Sequence, residues 1–384
     1  MERTDFTSAM TGTLVSVANG PPDVRVAFVP HPLPARWSWP ENLWKVLLNA
    51  RTALASLDGT GKHLPSPNIL LRPLQNREAQ LSSKLEGTIT DPQQQALFQV
   101  DPRYPTSAND PANSFREVFN YDRALRLTLD GSNGLPLSLR LIKKLHSILM
   151  EGVRGSDQRP GEFRVTQNQI GRPARFVPPP PRYLDEALDS FEKYLHAEDS
   201  FDPLVRAFIA HYQFETIHPF GDGNGRVGRL LLSLSIAEWC KLSSQWLYMS
   251  AYFERRKRDY MDLMLGVSTA GDWEPWIKFC LEGVVLQAVD TEKRCDKLLA
   301  LHRDYHGRLR KGNIRLSGLV DGLFEAPAVR VSSVVKKFNV TYPTARSDLK
   351  KLEAMGIVRL LDETERITYY CPDIFQVTYE EGDA

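Results

Sequence analysis

Residues 218–229 of this 384-residue chain read HPFGDGNGRVGR, and no other stretch says as much about its fold and chemistry. Gly221, Gly223 and Gly225 let the backbone turn sharply and approach a ligand closely. An apolar run at 230–239 follows directly and predicts a helix. A glycine-rich loop before a helix N-terminus binds anions, most often polyphosphate, because unpaired N–H groups and the positive end of the helix dipole point into it.

The charged side chains of this stretch fit the same interpretation. Arg226 and Arg229 lie three positions apart at the start of the predicted helix, where guanidinium groups can bind phosphate oxygens in pairs. Asp222 would repel a phosphate unless a divalent cation intervened, and Mg²⁺ typically binds one or two carboxylates plus substrate phosphates. His218 ends an amphipathic segment at 202–217, so a helix would hold its ring beside the loop as a general base requires.

The stretch also matches every fixed position of the pattern H-P-F-x-(D/E)-G-N-G-R-x-x-R, so the chain resembles the Fic family. Most members of that family transfer AMP from ATP to a hydroxyl side chain of a protein. Further segments are similar to family landmarks and occur in family order: RPGEFR at 159–164, FVPPP at 176–180, HYQFE at 211–215 and GDWEPW at 271–276. The resemblance covers approximately residues 73–285 and implies a mainly α fold, a Fic-type helical bundle with a small β-hairpin flap.

The resemblance implies a role for each residue of the loop. His218 would deprotonate the target hydroxyl and Asp222 would hold Mg²⁺. Nine residues are expected to contact the co-substrate ATP: Glu86, Gly223, Asn224, Gly225, Arg226, Val227, Gly228, Arg229 and Ala251. Among them, 223–225 would form the anion hole, Arg226 would bind the β phosphate, Arg229 the γ phosphate, and Ala251 would belong to an adenine wall at 248–252.

Upstream, SSKLEG at 82–87 fits the motif (S/T)-x-x-x-E-(G/N) of autoinhibited Fic proteins. Ser82 and Glu86 are one helical turn apart on the same face, and Gly87 is a natural residue to end that helix. The resemblance implies that Glu86 pairs with Arg229 and obstructs the pose of ATP that exposes its α phosphate. In some relatives this Glu helps to orient a water for AMP removal, so a de-AMPylase is an alternative.

Residues 163–165 and 174–177 predict two short paired strands around a polar turn, closed by four prolines. In the family this hairpin is a flap that adds the target segment as an extended strand. Phe163, Val165 and Ile170 are therefore expected to dock target proteins, which would be modified on Tyr, Thr or Ser.

Composition excludes a strong global field, since 48 Lys and Arg balance 47 Asp and Glu. Four cysteines lie far apart without a C-x-x-C pair, which argues against a structural zinc site or a disulfide framework. The N-terminus shows no signal pattern, and no apolar run reaches the roughly eighteen residues that a bilayer requires. These features predict a cytoplasmic protein without membrane contact.

The chain divides into an N-terminal segment at 1–110 with the inhibitory helix at about 73–87, a catalytic core at 111–285, a linking helix at 286–311 and a winged-helix-like domain at 312–384. Prolines in the first forty residues argue against long regular elements there. A long helix is expected from about 282 to 310, followed by a break at 311–313.

The winged helix is predicted from helical patterns at 316–325, 331–338 and 343–355 and a hairpin at 357–361 and 366–370. Arg346, Lys350 and Lys351 lie on its third helix, although Asp348 and Glu353 interrupt the basic patch. DNA contact and protein docking or homodimerisation are both compatible with these residues. A DNA-binding regulator with a nucleotide-sensing core is thus a further alternative, but a sensor has no need of the base His218.

His302 and His306 lie four positions apart in a charged, helical segment. No acidic third ligand follows the spacing of H-E-x-x-H, so two solvated or packed histidines are the favoured interpretation over a metal pair.

Overall fold

Helices dominate the fold, as the sequence predicts. A computed structural model describes residues 1–17, 25–62, 67–129, 134–153, 159–171, 173–309, 313–361 and 367–380. Within these ranges, no helix is long and apolar enough to traverse a bilayer.

The helices up to the end of the predicted core are α1 (Trp44–Lys62), α2 (Asn68–Leu85), α3 (Pro92–Val100), α4 (Ala112–Leu129), α5 (Leu139–Leu149), α6 (Leu184–His196), α7 (Pro203–Ile217), α8 (Asn224–Trp239), α9 (Ser250–Arg255) and α10 (Lys257–Ala270). They are followed by α11 (Trp273–Arg308), α12 (Ile314–Glu325), α13 (Val331–Phe338), α14 (Tyr342–Ala354) and α15 (Pro372–Tyr379). The strands are β1 (Gly12–Ser16), β2 (Val26–Pro30), β3 (Ala328–Arg330), β4 (Arg359–Leu361) and β5 (Thr368–Tyr370).

α7 and α8 form the centre of the bundle and pack directly on each other. α7 begins where Asp202 accepts a hydrogen bond from the Leu204 N–H at 2.9 Å, with Pro203 in the first helical position. Its side chains are apolar on nearly all sides, and Phe208 and Ile209 are fully buried. A helix that is hydrophobic all round must be enclosed by others, and α4, α5, α6 and α11 surround this pair.

The first forty residues contain two short strands that the sequence analysis did not predict. β1 and β2 pair antiparallel, with Gly12 opposite Pro30 and Ser16 opposite Val26. The prolines border these five-residue strands without interrupting the pairing. The Phe28 N–H also donates to the Val177 carbonyl at 2.9 Å, so β2 reaches the chain segment that precedes α6.

α11 is one unbroken helix that begins at Trp273, so its expected start at Glu282 is wrong. The expected boundary at 285/286 therefore falls inside a helix. Pro275 lies in the first turn, where its missing N–H has no helical partner to lose, and Gly283 is tolerated because Tyr252 and Met249 pack against it.

The three predicted helices are present as α12, α13 and α14, and the two strands of the predicted hairpin as β4 and β5; β3 and α15 were not predicted. The sheet order is β3-β5-β4, with Tyr370 opposite both Ala328 and Arg359. Asp348 is buried and binds Arg315 and Lys351, so it is not part of the exposed basic surface. Residues 311–312 of the predicted break and residue 366 of the predicted wing lie outside the described ranges. The winged-helix assignment and its DNA contact stay predictions.

α2 lies between two groups of helices. It packs on α4, α8 and α9 of the bundle and also on α11, α12 and α15. Its middle is anchored by Glu78, a buried carboxylate that accepts hydrogen bonds from the hydroxyls of Tyr121 at 2.9 Å and Ser250 at 2.5 Å. The position of α2 is therefore fixed both by the bundle and by the C-terminal helices.

A buried ionic cluster joins α2, α11 and α15. Asp290 lies 3.5 Å from Nη1 of Arg77 and accepts hydrogen bonds from Arg294 at 2.9 and 3.0 Å. The Arg294 guanidinium also donates to the carbonyls of Val377 at 2.5 Å and Glu380 at 2.8 Å. The C-terminal turn of α15 is thus held by one buried arginine.

We expect Arg294→Ala to lower the free energy of unfolding by about 3 kcal/mol, because it leaves Asp290 buried without its main partner. Urea denaturation measures this change, and hydrogen exchange should show lost protection in α15. Lys297→Ala is the matched control, since Lys297 and Glu380 form an exposed pair at 3.5 Å, and it should change stability by less than about 0.5 kcal/mol. Equal effects of the two substitutions would contradict the anchoring role.

Candidate active site

The loop between α7 and α8 is held by unusual backbone conformations at both ends. His218 ends α7 in the left-handed region, with φ 50° and ψ 61°, and Gly223 precedes α8 with φ 77°. The Asn224 side chain bridges the loop internally: its Oδ1 accepts the Phe220 N–H at 2.8 Å and its Nδ2 donates to the Phe220 carbonyl at 2.9 Å. The predicted anion hole is therefore a rigid turn, and Asn224 serves first to shape it.

His146 on α5 contacts the loop directly, and the sequence analysis did not single it out. Its ring stacks on Phe220 with centroids 3.8 Å apart. Nδ1 accepts the Gly161 N–H at 2.8 Å, so Nε2–H donates to the Asp222 carbonyl at 3.1 Å. Burial lowers the pKa of His146 to about 4, and the neutral ring ties the loop to the segment after α5. A histidine beside an apolar stripe was the only signal in the sequence.

The His218 side chain is oriented as a neutral base. Its Nδ1 lies 3.2 Å from the Glu215 carbonyl, which assigns the ring proton to Nδ1 and leaves the lone pair on Nε2. Burial lowers the pKa of His218 to about 4, so the ring is unprotonated at neutral pH. Arg164 holds the backbone of this residue, because its Nε donates to the His218 carbonyl at 2.8 Å and its Nη2 to the Pro179 carbonyl at 2.6 Å.

Asp222 and Arg226 place a carboxylate and a cation at the loop. Asp222 Oδ1 accepts the Gly223 N–H at 2.6 Å, and its side chain is 56% exposed. The Arg226 side chain is buried, with Nη1 3.6 Å from Glu117 and Nη2 3.9 Å from Asp222. Neither Nε nor Nη1 of Arg226 has a hydrogen-bond partner among the described residues. Buried donors without partners suit an incoming anion, and an accessible carboxylate beside them suits Mg²⁺.

Arg229 is buried, and the hydrogen bonds described for its side chain go to Ser82 on α2 and to Glu86, the residue that follows α2. Its Nε donates to Ser82 Oγ at 2.8 Å, and its Nη2 donates to the Ser82 carbonyl at 2.9 Å and to Glu86 Oε1 at 2.7 Å. Burial opposes ionisation of Glu86, but the nearby Arg229 charge outweighs it and lowers the pKa of the carboxyl. The two residues therefore form the ion pair that the motif at 82–87 predicts.

The end of α2 is fixed in several ways. Gly87 follows Glu86 with φ 92°, a conformation that favours glycine. Lys257 of α10 donates to the Leu85 carbonyl at 2.5 Å. A Cβ on Gly225 would lie 2.1 Å from Glu86 Oε1, so only glycine lets the carboxylate approach the first turn of α8 this closely.

A cleft of about 360 Å³ opens beside these residues. Its polar wall includes Glu86, His218, Gly225 and Arg229, and Tyr260, Met261, Met264 and Leu265 of α10 contribute to its other wall. Ala251 does not border this cleft, and neither do Asp222, Gly223, Asn224 and Arg226; the adenine wall at 248–252 stays a prediction. Ala251 lines a separate cavity with Arg77 and Tyr379, because α9 packs on α2.

Of the remaining predicted ATP contacts, Val227 and Gly228 serve the packing of α8. Val227 is fully buried, and its N–H donates to the Gly223 carbonyl at 3.1 Å. A Cβ on Gly228 would lie 2.1 Å from Glu215 Oε1. Neither residue borders the cleft.

The predicted flap exists as a segment over the cleft, but its predicted pairing is wrong. Residues 163–165 do not pair with 174–177; Ile170 and Phe176 form an isolated antiparallel bridge instead. Other partners occupy the expected edges, since the Arg164 N–H donates to the Pro219 carbonyl at 2.9 Å and the Val177 carbonyl accepts the Phe28 N–H.

The three expected docking residues lie in different places. Phe163 packs against Phe220 with ring centroids 5.3 Å apart, so it supports the loop between α7 and α8. Val165 is 66% exposed, and Ile170 borders the cleft. Arg175 forms an ion pair with Asp262 of α10 and closes the segment over the cleft.

Glu215 is a second carboxyl group close to Arg229, and its side chain is half-buried. Its Oε1 has no hydrogen-bond partner among the described residues. Burial raises the pKa of Glu215 to about 8, so the group is mostly protonated at neutral pH. One neutral and one ionised carboxyl group, Glu215 and Glu86, therefore flank the same guanidinium.

A glycine turn before a helix N-terminus, a neutral histidine and a buried arginine form an arrangement that suits an anionic ligand. Family models point the same way: the Fic/DOC family matches residues 136–236, and the Fic/DOC family N-terminal region matches residues 44–130. Over these two ranges the chain is similar to the Fic/DOC family.

Comparisons with individual proteins agree. The chain is 32% identical over 177 residues to protein adenylyltransferase fic-1 of Caenorhabditis elegans, an alignment that covers 44% of this chain and 32% of that relative. A solved Fic family protein from Desulfovibrio desulfuricans G20 matches with a TM-score of 0.55 at 17% identity, covering 91% of this chain and 100% of that chain. Residues 134–508 of C. elegans Fic-1 match with a TM-score of 0.52 at 20% identity, covering 66% and 73%. The structural matches show the fold, and the chain spans about a third of the length of curated relatives such as fic-1.

Glu215 makes a pH dependence testable. Burial raises its pKa from 4.5 to about 8, so the folded protein keeps a proton that the unfolded chain releases. The resulting stability is complete below about pH 4.5 and is lost as the pH rises through about 8. We expect Glu215→Gln, which stays neutral, to gain stability relative to the wild type between about pH 5 and pH 8.

Urea unfolding at several pH values measures this difference. Glu238→Gln is the control, because it removes the charge of an exposed side chain on α8. A constant offset between Glu215→Gln and the wild type across this range would show that Glu215 is already ionised in the folded protein.

Proposed function

We propose that the protein is an adenylyltransferase that transfers AMP from Mg-ATP to a Tyr, Thr or Ser hydroxyl of target proteins and of itself. The observation that carries this proposal is the neutral, half-buried His218, which borders the cleft beside the first turn of α8 and the guanidinium of Arg229. Nucleotidyl transfer needs such a base next to a fixed phosphate site. The relatives named protein adenylyltransferases support the same reaction class.

In this reaction the lone pair on His218 Nε2 takes the proton of the target hydroxyl. The hydroxyl oxygen forms a bond to the α phosphorus, and the bond from that phosphorus to the oxygen bridging to the β phosphate breaks. Pyrophosphate leaves with the electron pair of that bond. N–H groups in the first turn of α8 and the charge of the Arg226 guanidinium stabilise the charge on the phosphates.

Asp222 is the residue that fits a Mg²⁺ ion, since it is the exposed carboxylate next to the phosphate site. When bound, the ion would neutralise charge on the phosphates. His146 holds the backbone carbonyl of Asp222, so it acts as a positioning residue for this ligand.

We further propose that the protein is autoinhibited. A γ phosphate at Arg229 would need the donor Nη2. Glu86 now accepts a hydrogen bond from that donor at 2.7 Å. The carboxylate also fills the space next to Gly225, where a phosphate would approach the first turn of α8. ATP would therefore bind in a pose that does not present its α phosphate.

Removal of AMP from modified proteins is a second candidate. The observation in its favour is that Glu86, held ionised by Arg229, borders the same cleft as His218. A carboxylate in that position can accept a proton from an attacking water. The cytoplasmic location, homodimerisation and DNA contact remain predictions.

The first experiment incubates the protein with Mg²⁺ and ATP labelled at the α or the γ phosphate, and detects labelled protein on a gel. We expect only α label to be transferred. His218→Ala should reduce transfer by about a hundredfold to ten-thousandfold while ATP binding is kept. His196→Ala, which removes an exposed histidine on α6, is the control and should transfer at the wild-type rate. Transfer of γ label, or full activity of His218→Ala, would contradict the proposal.

The second experiment tests the brake with Glu86→Gly and Glu86→Gln. Each removes a charge-assisted hydrogen bond that contributes about 1.5–3 kcal/mol, so the rate of AMP transfer should rise about ten- to a hundredfold. Glu254→Gln is the matched control. Glu254 of α9 forms an ion pair at 2.9 Å with Lys84, which lies on α2 two residues before Glu86, and this pair does not include Arg229. If Glu86→Gly loses AMP-removing activity and gains no transferase activity, the protein is a de-AMPylase and the adenylyltransferase assignment is wrong.

A further inference from the structure

Two histidines and a carboxylate converge where α11 meets α12. His302 Nε2 lies 2.8 Å and His306 Nε2 lies 2.9 Å from Asp321 Oδ1. The three ligand atoms all lie within 4.8 Å of one another. Asp321 is the acidic third ligand that the sequence spacing did not reveal, because it comes from another helix.

The two imidazoles are already aligned. His302 and His306 lie one helical turn apart on the same face of α11, with ring centroids 4.3 Å apart. Paired histidines at this spacing are a common arrangement for transition-metal ligands on a helix.

Each ring has a second contact from α12. The His302 ring meets Phe324 edge to face, with centroids 5.3 Å apart. Nδ1 of His306 lies 3.4 Å from the hydroxyl of Ser317. Such contacts orient a metal-binding histidine and set which nitrogen carries the proton. The imidazoles therefore need little rearrangement to bind a metal ion.

The site is also accessible. The side chains of His302, His306 and Asp321 are 24%, 28% and 47% exposed. An ion can therefore enter without opening the core, and the outer side leaves room for water as a fourth ligand. Tetrahedral ligands at about 2.0–2.2 Å from a zinc ion are roughly 3.3 Å apart, so each observed nitrogen–oxygen pair has to separate by only about half an ångström.

We propose that His302, His306 and Asp321 form a binding site for Zn²⁺ or a closely related divalent transition metal. Two imidazole nitrogens and one carboxylate oxygen are a donor set that zinc prefers, whereas Mg²⁺ and Ca²⁺ prefer oxygen ligands alone. The ion binds the Nε2 lone pair of each neutral ring, so the ring proton that Nε2 now directs at Asp321 moves to Nδ1, where the Ser317 hydroxyl can accept that of His306. Binding links α11 to the helix that opens the C-terminal unit.

The test uses the full chain, stripped of metal with a chelator and titrated with Zn²⁺ against a chromophoric competitor. We expect one equivalent to bind. Asp321→Asn, which keeps the size of the side chain, and His306→Ala should each weaken binding at least about tenfold. His196→Ala and Asp222→Asn are controls for surface histidines and for the catalytic loop, and both should bind as the wild type does.

Co²⁺ provides a second measurement that does not depend on His306→Ala folding. The wild type should give the intense visible absorption of four-coordinate Co²⁺, and Asp321→Asn should change or lose it. Absence of stoichiometric binding in the wild type would overturn the proposal. So would binding that both Asp321→Asn and His306→Ala retain at full affinity, and in either case the three side chains would be a hydrogen-bonded cluster only.

Discussion

The structure depends on one buried cation, the guanidinium of Arg229. A buried charge is stable only when it is paired, and the hydrogen bonds described for Arg229 all go to α2, two to Ser82 and one to Glu86. The first turn of α8 and the end of α2 are therefore coupled. If Glu86 withdraws, another anion must replace it, and a phosphate can do so because the loop already offers N–H groups and a second arginine. In the proposed function, Glu86 and the γ phosphate therefore compete for the same donors of Arg229.

The coupling extends beyond the cleft because α2 is packed on both sides. Arg77 of α2 shares Asp290 with Arg294, which holds the end of α15, and α12 packs on α2 directly. Lys257 of α10 donates a hydrogen bond to the carbonyl of Leu85, the last residue of α2. The position of Glu86 is consequently set by the catalytic bundle and by the C-terminal unit together. A displacement of α12 or α15 would bear on α2, and through α2 on Arg229.

The sequence predicted the parts of the site that are local in the chain. His218, Asp222 and the glycine loop follow one another, so their spacing alone places them on one turn. The Glu86–Arg229 pair is remote in sequence, yet it was predicted because each partner carries its own motif. The roles of His146 and Arg164 were missed, since these residues reach the loop over 76 and 54 residues. His146 belongs to no pattern, and Arg164 appeared only as the last residue of the segment RPGEFR. The flap pairing failed for the same physical reason: an N-terminal strand, β2, takes the edge that the predicted hairpin needed.

Burial determines which ionisable groups of the site are charged at neutral pH. It lowers the pKa of His146 and His218 and raises that of Glu215, so all three groups are mainly neutral at neutral pH. Glu86 stays ionised because the adjacent Arg229 outweighs the cost of burial. With that carboxylate in place, Arg229 is already neutralised, and a γ phosphate gains little by approaching it. Without the carboxylate, the same guanidinium becomes an uncompensated charge in a low-dielectric cleft, where its attraction for phosphate is far stronger than in water. Under the proposed autoinhibition, one carboxyl group that is kept ionised by the cation it blocks is thus enough to hold the site in an unproductive state.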